Sequence, residues 1–174
     1  MVLVTGFGSF PGVTDNPTAA LARAVDGAVV AGRSVRGVVL PVHYGAAPER
    51  TIALARALGA ELVLGTGVAV RRTRVTVEQQ GRRTVGRPDS AGHVPDGLFG
   101  PSLVPATIDV AALCAALDAD PSEDAGTYVC NAWLHGVAHA LAVPVGFVHV
   151  PPEGLEPERL LAGIARLLTP PPGS

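Results

Sequence analysis

Lysine is absent from this sequence, and its absence excludes several kinds of chemistry. All 13 basic residues among the 174 are arginine. A lysine Schiff base and a P-loop lysine are therefore excluded. The 15 acidic residues leave a formal net charge of -2. Because nucleic-acid binding needs a strongly basic face, we expect no nucleic-acid partner.

Cysteine is also scarce, since the chain contains only Cys114 and Cys130. Two cysteines cannot build the disulfide framework of a small secreted domain. No apolar run reaches the length of a membrane span. The short apolar segment at residues 1–4 has no basic leader, which indicates a first strand rather than a signal peptide. We therefore expect a cytoplasmic protein without membrane contact.

Charged residues are few and hydrophobic residues are many, at 16% and 48% of the chain. This balance predicts a folded protein rather than a disordered one. The length suits one domain with a sizeable core. We expect a single α/β domain over residues 1–168, followed by a proline-rich tail at residues 169–174 (TPPPGS).

Apolar segments and helical periods alternate along the chain. Strands are predicted at residues 2–5, 35–42, 62–65, 74–79 and 144–150, and helices at 18–25, 47–58, 108–117, 132–142 and 156–168. This alternation predicts an α/β fold with a mostly parallel, twisted sheet and helices on both faces. Residues 81–107 carry many turn-forming residues and are predicted to form one long loop.

Folds of this kind bind ligands beyond the carboxyl ends of their strands. The glycine-rich loop after the first strand, Cys130 and His149 all lie near such ends or in the loops that follow them. Glu78 closes the alternating strand at 74–79 and is expected at the same edge. Four segments that are distant in sequence are therefore predicted to converge on one site.

Cys130 is the candidate nucleophile. It lies where a short apolar run gives way to a predicted helix. A helix N-terminus lowers the pKa of a thiol and offers backbone amides to a developing oxyanion. The alternative is a buried and inert cysteine. That interpretation suits Cys114, in the middle of an Ala/Leu-rich helix.

His149 and Glu78 could assist such a nucleophile. His149 lies in an apolar strand, and a strand end would hold a general base in one place. The alternative is a hydrogen-bonded core histidine. Glu78 could orient the imidazole and stabilise the imidazolium. Taken alone, it could equally be a solvated surface carboxylate.

Two other patterns are weaker. His135 and His139 are spaced i, i+4, as in a two-histidine metal site, but no third ligand has an obvious place. Two surface histidines on a helix are the simpler interpretation. The glycines of residues 6–12 suggest a dinucleotide loop, but their spacing is wrong. Phe7 and Phe10 within that loop indicate an apolar wall instead. We expect neither a metal nor a cofactor.

Three segments carry a family resemblance. They are residues 5–12 (TGFGSFPG) with the Asn16-Pro17 pair that follows, residues 125–131 (AGTYVCN) and residues 146–151 (GFVHVP). In this order they resemble the pyroglutamyl-peptidase I family, also called pyrrolidone carboxyl peptidase. The resemblance extends from residue 2 to about residue 168.

The resemblance implies a cysteine exopeptidase that removes an N-terminal pyroglutamyl residue from peptides through a thioester. Cys130 would attack, His149 would act as the base, and Glu78 would orient His149. The residues implied to contact the substrate are Phe7, Phe10, Asn16 and Arg87.

The chain also departs from the family pattern. Gln79 and Gln80 follow Glu78 where the family usually has arginine next, and the stretch between Cys130 and His149 is shorter. Two alternatives therefore stay open: a small-lactam or peptide-binding protein without catalysis or with altered specificity, and a hydrolase of another small lactam or amide. A homo-oligomer also stays open.

Overall fold

A computed structural model describes residues 1–169, so most of the predicted tail lies outside the described residues. The strands are β1 (Val2–Phe7), β2 (Val29–Val30), β3 (Arg33–Leu40), β4 (Leu62–Val68), β5 (Thr76–Glu78), β6 (Gln80–Arg82), β7 (Leu103–Pro105), β8 (Asp120–Ser122) and β9 (Val145–Val150). The helices are α1 (Pro17–Val25), α2 (Ala46–Leu58), α3 (Val110–Leu117), α4 (Val129–Ala140) and α5 (Pro157–Leu168). None of these five helices is long and apolar enough to cross a membrane.

Seven of the strands form one sheet in the order β2-β3-β1-β4-β9-β5-β8. Its four central strands, β3, β1, β4 and β9, run parallel. At one edge β2 pairs antiparallel with β3, and on the other side β5 pairs antiparallel with β9 and parallel with β8. The prediction of a mostly parallel sheet is confirmed.

Helices cover both faces of the sheet. Helices α1, α3 and α5 pack on one face against residues such as Val4 and Val148. Helices α2 and α4 pack on the other face against Leu3, Val63 and Phe147. Successive side chains of a strand point to opposite faces, so each central strand contributes to both cores. Strands β1, β4 and β9 are buried almost throughout, as their apolar sequences predicted.

Three helix ends show which residues begin or stop the helices. Asn16 caps α1 by accepting a hydrogen bond from the Thr18 amide at 3.1 Å. Gly59 ends α2 in the left-handed region with φ 59°. Helix α4 begins at Val129, three residues before the predicted start, so Cys130 lies in its first turn.

The prediction of one continuous loop over residues 81–107 is wrong. Strands β6 and β7 close this segment at its base as an antiparallel pair. The pair packs closely on α4, since a Cβ at Gly81 would lie 2.5 Å from the backbone nitrogen of His135. Three-residue strands carry too little periodicity to be read from the sequence.

Candidate active site

A cavity of about 690 Å³ opens at the carboxyl ends of β1, β4 and β9. Its lining includes two segments of contrasting chemistry, the apolar opening loop and the arginine-containing stretch after β4. Six of the seven residues predicted for the site line this cavity: Phe7, Phe10, Asn16, Arg87, Cys130 and His149. The seventh, Glu78, lies behind His149 and contacts it directly.

Cys130 is half-buried on the first turn of α4 and lies against β4. A Cβ at Gly67 would be only 2.6 Å from the Cys130 sulfur. No side chain other than that of glycine therefore fits at this point of β4 without moving the thiol. Gly67 is also the register partner of His149, so one strand pair places both groups.

The expected lowering of the Cys130 pKa is wrong for this state of the site. Burial raises the pKa of the Cys130 thiol to about 12, and the negative charge of Glu78 adds to this rise. The amide of Cys130 itself and the charges of Arg87 and Arg72 lower the pKa, but they do not offset burial. The resting thiol is therefore protonated at neutral pH, and attack requires a base.

His149 is held in the orientation of such a base. It is 5% exposed, and its Nδ1 lies 2.8 Å from Glu78 Oε1. Because an ionised carboxylate can only accept, Nδ1 carries the hydrogen and Nε2 is left to take a proton. No hydrogen bond joins Cys130 to His149 among residues 1–169, although both line the cavity. Such contacts often form only when substrate binds.

Glu78 reaches His149 from an unexpected direction. Strand β5 runs antiparallel to β9, with Thr76 opposite His149 and Glu78 opposite Phe147. The expectation that Glu78 lies at the carboxyl edge of the parallel strands is therefore wrong. It lies two residues deeper and meets His149 diagonally. The side chain is 0% exposed, which excludes the interpretation as a solvated surface group.

The carboxylate of Glu78 is kept ionised by its neighbours. Burial alone would raise the pKa of Glu78. The hydrogen bond and charge of His149, with smaller effects of Ser122 and Arg72, outweigh burial and hold the pKa of Glu78 below its ordinary value.

Arg72 is a functional candidate that sequence reasoning missed. Its Nη1 donates to Glu78 Oε1 at 2.5 Å and also to the Thr76 hydroxyl, and its Nη2 donates to the Asp124 carbonyl at 2.6 Å. Arg72 belongs to the run RRTR at residues 71–74. Nothing in that run indicates which arginine points inward.

The substrate side of the cavity is walled by stacked rings. Tyr128 is central, with its ring centroid 6.0 Å from that of Phe10 and 5.9 Å from that of Tyr44. The guanidinium of Arg87 lies 3.9 Å from the centroid of the Tyr128 ring. Tyr128 was also missed, although its place two residues before the nucleophile was a usable signal.

Phe7 and Asn16 have structural roles in addition to their place in the lining. Phe7 ends β1, is 2% exposed and packs against Phe147 with ring centroids 6.5 Å apart. The expectation that it would not be a core residue is wrong. Asn16 donates from Nδ2 to the Gly8 carbonyl at 3.0 Å, which ties the opening loop to α1.

The two helix histidines differ from each other. His135 is 1% exposed, and its Nε2 lies 2.8 Å from the Pro101 carbonyl, so the interpretation as a surface residue is wrong for it. His139 is exposed. Over residues 1–169, no three or more His, Cys, Asp or Glu side chains group in a way that could hold a metal ion.

The fold and the site together define a class. A thiol at a helix N-terminus, an imidazole with a free Nε2 and a buried carboxylate behind it are the components of a cysteine hydrolase. A model of the family described as pyroglutamyl peptidase matches residues 1–160. The chain belongs to this family of cysteine peptidases.

Individual relatives agree with that membership. The chain is 34% identical over 161 residues to a pyrrolidone-carboxylate peptidase of Chromobacterium violaceum, with 86% of this chain and 77% of that protein covered. It is 36% identical over 172 residues to one of Mycobacterium marinum, covering 86% and 76%. The crystal structure of pyrrolidone carboxyl peptidase from Thermus thermophilus matches with a TM-score of 0.83 at 31% identity, covering 97% and 98%. The family resemblance read from the motifs is confirmed.

Proposed function

We propose that this peptidase removes the N-terminal pyroglutamyl residue of peptides with Cys130 as nucleophile, His149 as base and Glu78 as the group that orients His149. The observation that carries the proposal is the buried hydrogen bond of 2.8 Å between His149 Nδ1 and Glu78 Oε1, in a cavity shared with Cys130. Family membership supports the reaction, and it does not support the alternative of a binding protein without catalysis.

Acylation begins with a neutral thiol. His149 Nε2 takes the Cys130 proton while the sulfur attacks the pyroglutamyl carbonyl carbon. The oxygen of the tetrahedral intermediate gains a negative charge next to the first turn of α4, where the amide of Cys130 is available as a donor. The C–N bond then breaks, and the imidazolium gives its proton to the leaving amine. A thioester on Cys130 is left.

Deacylation reuses the same base. His149 takes a proton from water, which attacks the thioester carbonyl carbon. The C–S bond breaks, the proton returns to sulfur, and free pyroglutamate leaves. Glu78 stays ionised throughout and stabilises the imidazolium in both half-reactions.

The cavity wall suits a neutral ring. A lactam has no ammonium group, so the faces of Phe10 and Tyr128 can cover it without burying a charge. Arg87 beside Tyr128 would repel a charged amino terminus. These two features favour a pyroglutamyl residue over an ordinary first residue. We assign substrate contacts to Phe10 and Arg87 directly, and to Asn16 and Phe7 through the wall they support.

The direct experiment is an assay of a chromogenic pyroglutamyl amide with and without a thiol-blocking reagent. We expect turnover that the blocker abolishes. A protein that reacts with the blocker at Cys130 but never cleaves the amide would contradict the proposal and would favour another lactam or amide.

Further features are consistent with this function. We propose that residues 1–168 act as one domain in the cytoplasm, where a reducing environment keeps a catalytic thiol free. Cys114 and Cys130 are both unpaired. Cell fractionation would test the location, and light scattering would show whether the chain forms a homo-oligomer.

A further inference from the structure

We propose that Arg72 is a positioning residue that holds Glu78 in the orientation that His149 requires. This proposal rests on the triad proposed above. Arg72 lines the cavity and forms an ion pair with Glu78 in which the side chains are 27% and 0% exposed. It acts on the reaction through Glu78 and His149.

The hydrogen bonds of the carboxylate show why it needs such a partner. Glu78 Oε1 accepts from both His149 Nδ1 and Arg72 Nη1. Glu78 Oε2 is buried without a hydrogen-bond partner. The orientation of the carboxylate therefore depends on contacts to a single oxygen. Without Arg72, the buried carboxylate would keep only the hydrogen bond from His149 and a longer one of 3.4 Å from the Thr76 hydroxyl.

The guanidinium of Arg72 is itself held in place by two further hydrogen bonds. Its Nη2 donates to the Asp124 carbonyl at 2.6 Å and to the Ser122 hydroxyl at 3.2 Å. These partners lie on and just after β8, the neighbour of β5 in the sheet. Arg72 thus links the strand of Glu78 to the edge strand and holds the same carboxylate oxygen that His149 contacts.

The positive charge of Arg72 has a second effect. The ionisable groups that contact His149 or share its cavity are Glu78 on β5, Cys130 on α4, and the arginines Arg71, Arg72 and Arg87. Removing the charge of Arg72 leaves Glu78 more available to stabilise the imidazolium. The acidic limb of the pH profile of kcat/KM should then move to higher pH, because His149 would hold its proton longer.

The test compares Arg72→Gln, Arg72→Lys and a matched control. For Arg72→Gln we expect kcat/KM for a pyroglutamyl amide to fall on the order of ten- to hundredfold, with the acidic limb shifted upward. Arg72→Lys keeps the positive charge, so it should recover part of the lost kcat/KM and part of the shift of the acidic limb. The control is Arg74→Gln, two residues away, where the side chain pairs with Asp120 at 2.9 Å outside the cavity lining.

Two results would overturn this role. One is an unchanged kcat/KM in Arg72→Gln. The other is a loss of activity that follows a lower melting temperature while the acidic limb stays in place, which would indicate support of the fold alone. If Glu78→Gln also leaves turnover intact, the triad itself fails, so the two failures can be told apart.

A different observation, the charge of the cavity wall, carries a second inference. The lining contains three arginines and no aspartate or glutamate, in a chain of net charge -2. Arg72 is paired with Glu78, and Arg87 is stacked on Tyr128. Arg71 is exposed, and no ion pair or hydrogen bond of its side chain is formed within residues 1–169. It is a free positive charge at a substrate cavity.

The sheet order places Arg71 on the side of the leaving peptide. The opening loop with Phe10 follows β1, whereas residues 69–72 follow β4 and lead toward β5 and β8. Arg72, next to Arg71, reaches Glu78 on β5 and Ser122 on β8, and β9 with His149 lies between β1 and β5 in the sheet order. With the ring against Phe10, the leaving peptide extends toward Arg71. We infer that Arg71 binds a carboxylate there, supplied by an acidic side chain after the scissile bond or by the C-terminus of a dipeptide.

Matched substrates test this inference, which also rests on the proposed function. Pyroglutamyl-glutamate amide is compared with pyroglutamyl-glutamine amide, and pyroglutamyl-alanine with its amide. In at least one pair we expect the substrate with the carboxylate to show about a three- to tenfold higher kcat/KM at low salt. A preference in the first pair identifies an acidic side chain as the group that Arg71 binds, and a preference in the second identifies the C-terminus of a dipeptide. Arg71→Gln should abolish the preference, and Arg74→Gln should keep it. No preference in either pair, or a preference that survives Arg71→Gln, would overturn the subsite while leaving the peptidase activity established.

Discussion

The two sides of the cavity are built in different ways. On the catalytic side, Glu78 and His149 lie on neighbouring strands and are joined by a hydrogen bond, and Glu78 also forms an ion pair with Arg72. On the substrate side, Phe10 and Tyr128 lie in a loop and at the N-cap of α4, and ring contacts connect them. Strand register allows little freedom of position, whereas loop contacts can be rearranged. Catalysis should therefore be intolerant of substitution, and specificity should be adjustable.

The same contrast appears within one loop. Phe7 and Phe10 both line the cavity and are three residues apart. Phe7 is a buried core residue at the end of β1, and Phe10 is half-buried beyond it. The first should matter for stability and the second for substrate.

The largest effect should come from Cys130→Ser, on the catalytic side. A serine hydroxyl lacks thiolate character, so we expect kcat to fall by about three or more orders of magnitude with the fold unchanged. Turnover of a pyroglutamyl amide measures the loss. Cys114→Ser is the matched control, since Cys114 is buried on α3 away from the cavity, and it should barely change kcat. An essential Cys114 would show that the nucleophile is misassigned.

Glu78→Gln should have the next largest effect. Glutamine keeps the shape of the side chain but cannot stabilise the imidazolium and can favour the wrong tautomer of His149. We expect kcat to fall by about a hundred- to ten-thousandfold. A loss of less than about threefold, with a normal melting temperature, would place Glu78 outside the machinery.

Phe10→Ala and Phe7→Ala sharpen the contrast on the substrate side. Phe10→Ala should lower kcat/KM by on the order of a hundredfold and lower Tm by only a few degrees. Phe7→Ala should cost about 3–5 kcal/mol of unfolding free energy, because it opens a cavity in the core. Thermal melts measure the loss of stability, and kinetics on the folded fraction measure the loss of activity in each variant. If Phe10→Ala mainly lowers Tm, the ring pocket lies elsewhere, with residues 86–105 the next candidate.

The pH dependence of alkylation tests the protonation state of the resting thiol and needs no turnover. Burial raises the Cys130 pKa, so at any neutral pH the thiolate fraction is below that of a free thiol with a pKa of roughly 8.5. We expect iodoacetamide to react slowly at pH 7, and the rate to keep rising with pH beyond 9. A rate that reaches its plateau below pH 8 would mean that a thiolate–imidazolium pair already exists in the resting enzyme.

Much of this architecture could be predicted from the sequence, for physical reasons. Strands β1, β4 and β9 are mostly apolar because both of their faces are buried, and the helices carry clear periods with recognisable ends such as Asn16 and Gly59. The motifs around Cys130 and His149 led to the proposed nucleophile and base, and the structure brings both residues to one cavity.

Other features depend on tertiary contacts that no local pattern records. The antiparallel direction of β5 cannot be read from three residues, and β8 is formed by the turn-forming sequence Asp120–Ser122. Arg72 is indistinguishable from its neighbours until β5 and β8 surround it. The thiol pKa was predicted in the wrong direction because a helix N-terminus is visible in the sequence, whereas burial is not.

The most direct test of the account is an affinity label that combines a pyroglutamyl group with a chloromethyl ketone. The account predicts that one equivalent inactivates the enzyme, that a pyroglutamyl peptide protects against it, and that mass spectrometry finds the label on Cys130. Label on Cys114, or inactivation without modification of Cys130, would contradict the account.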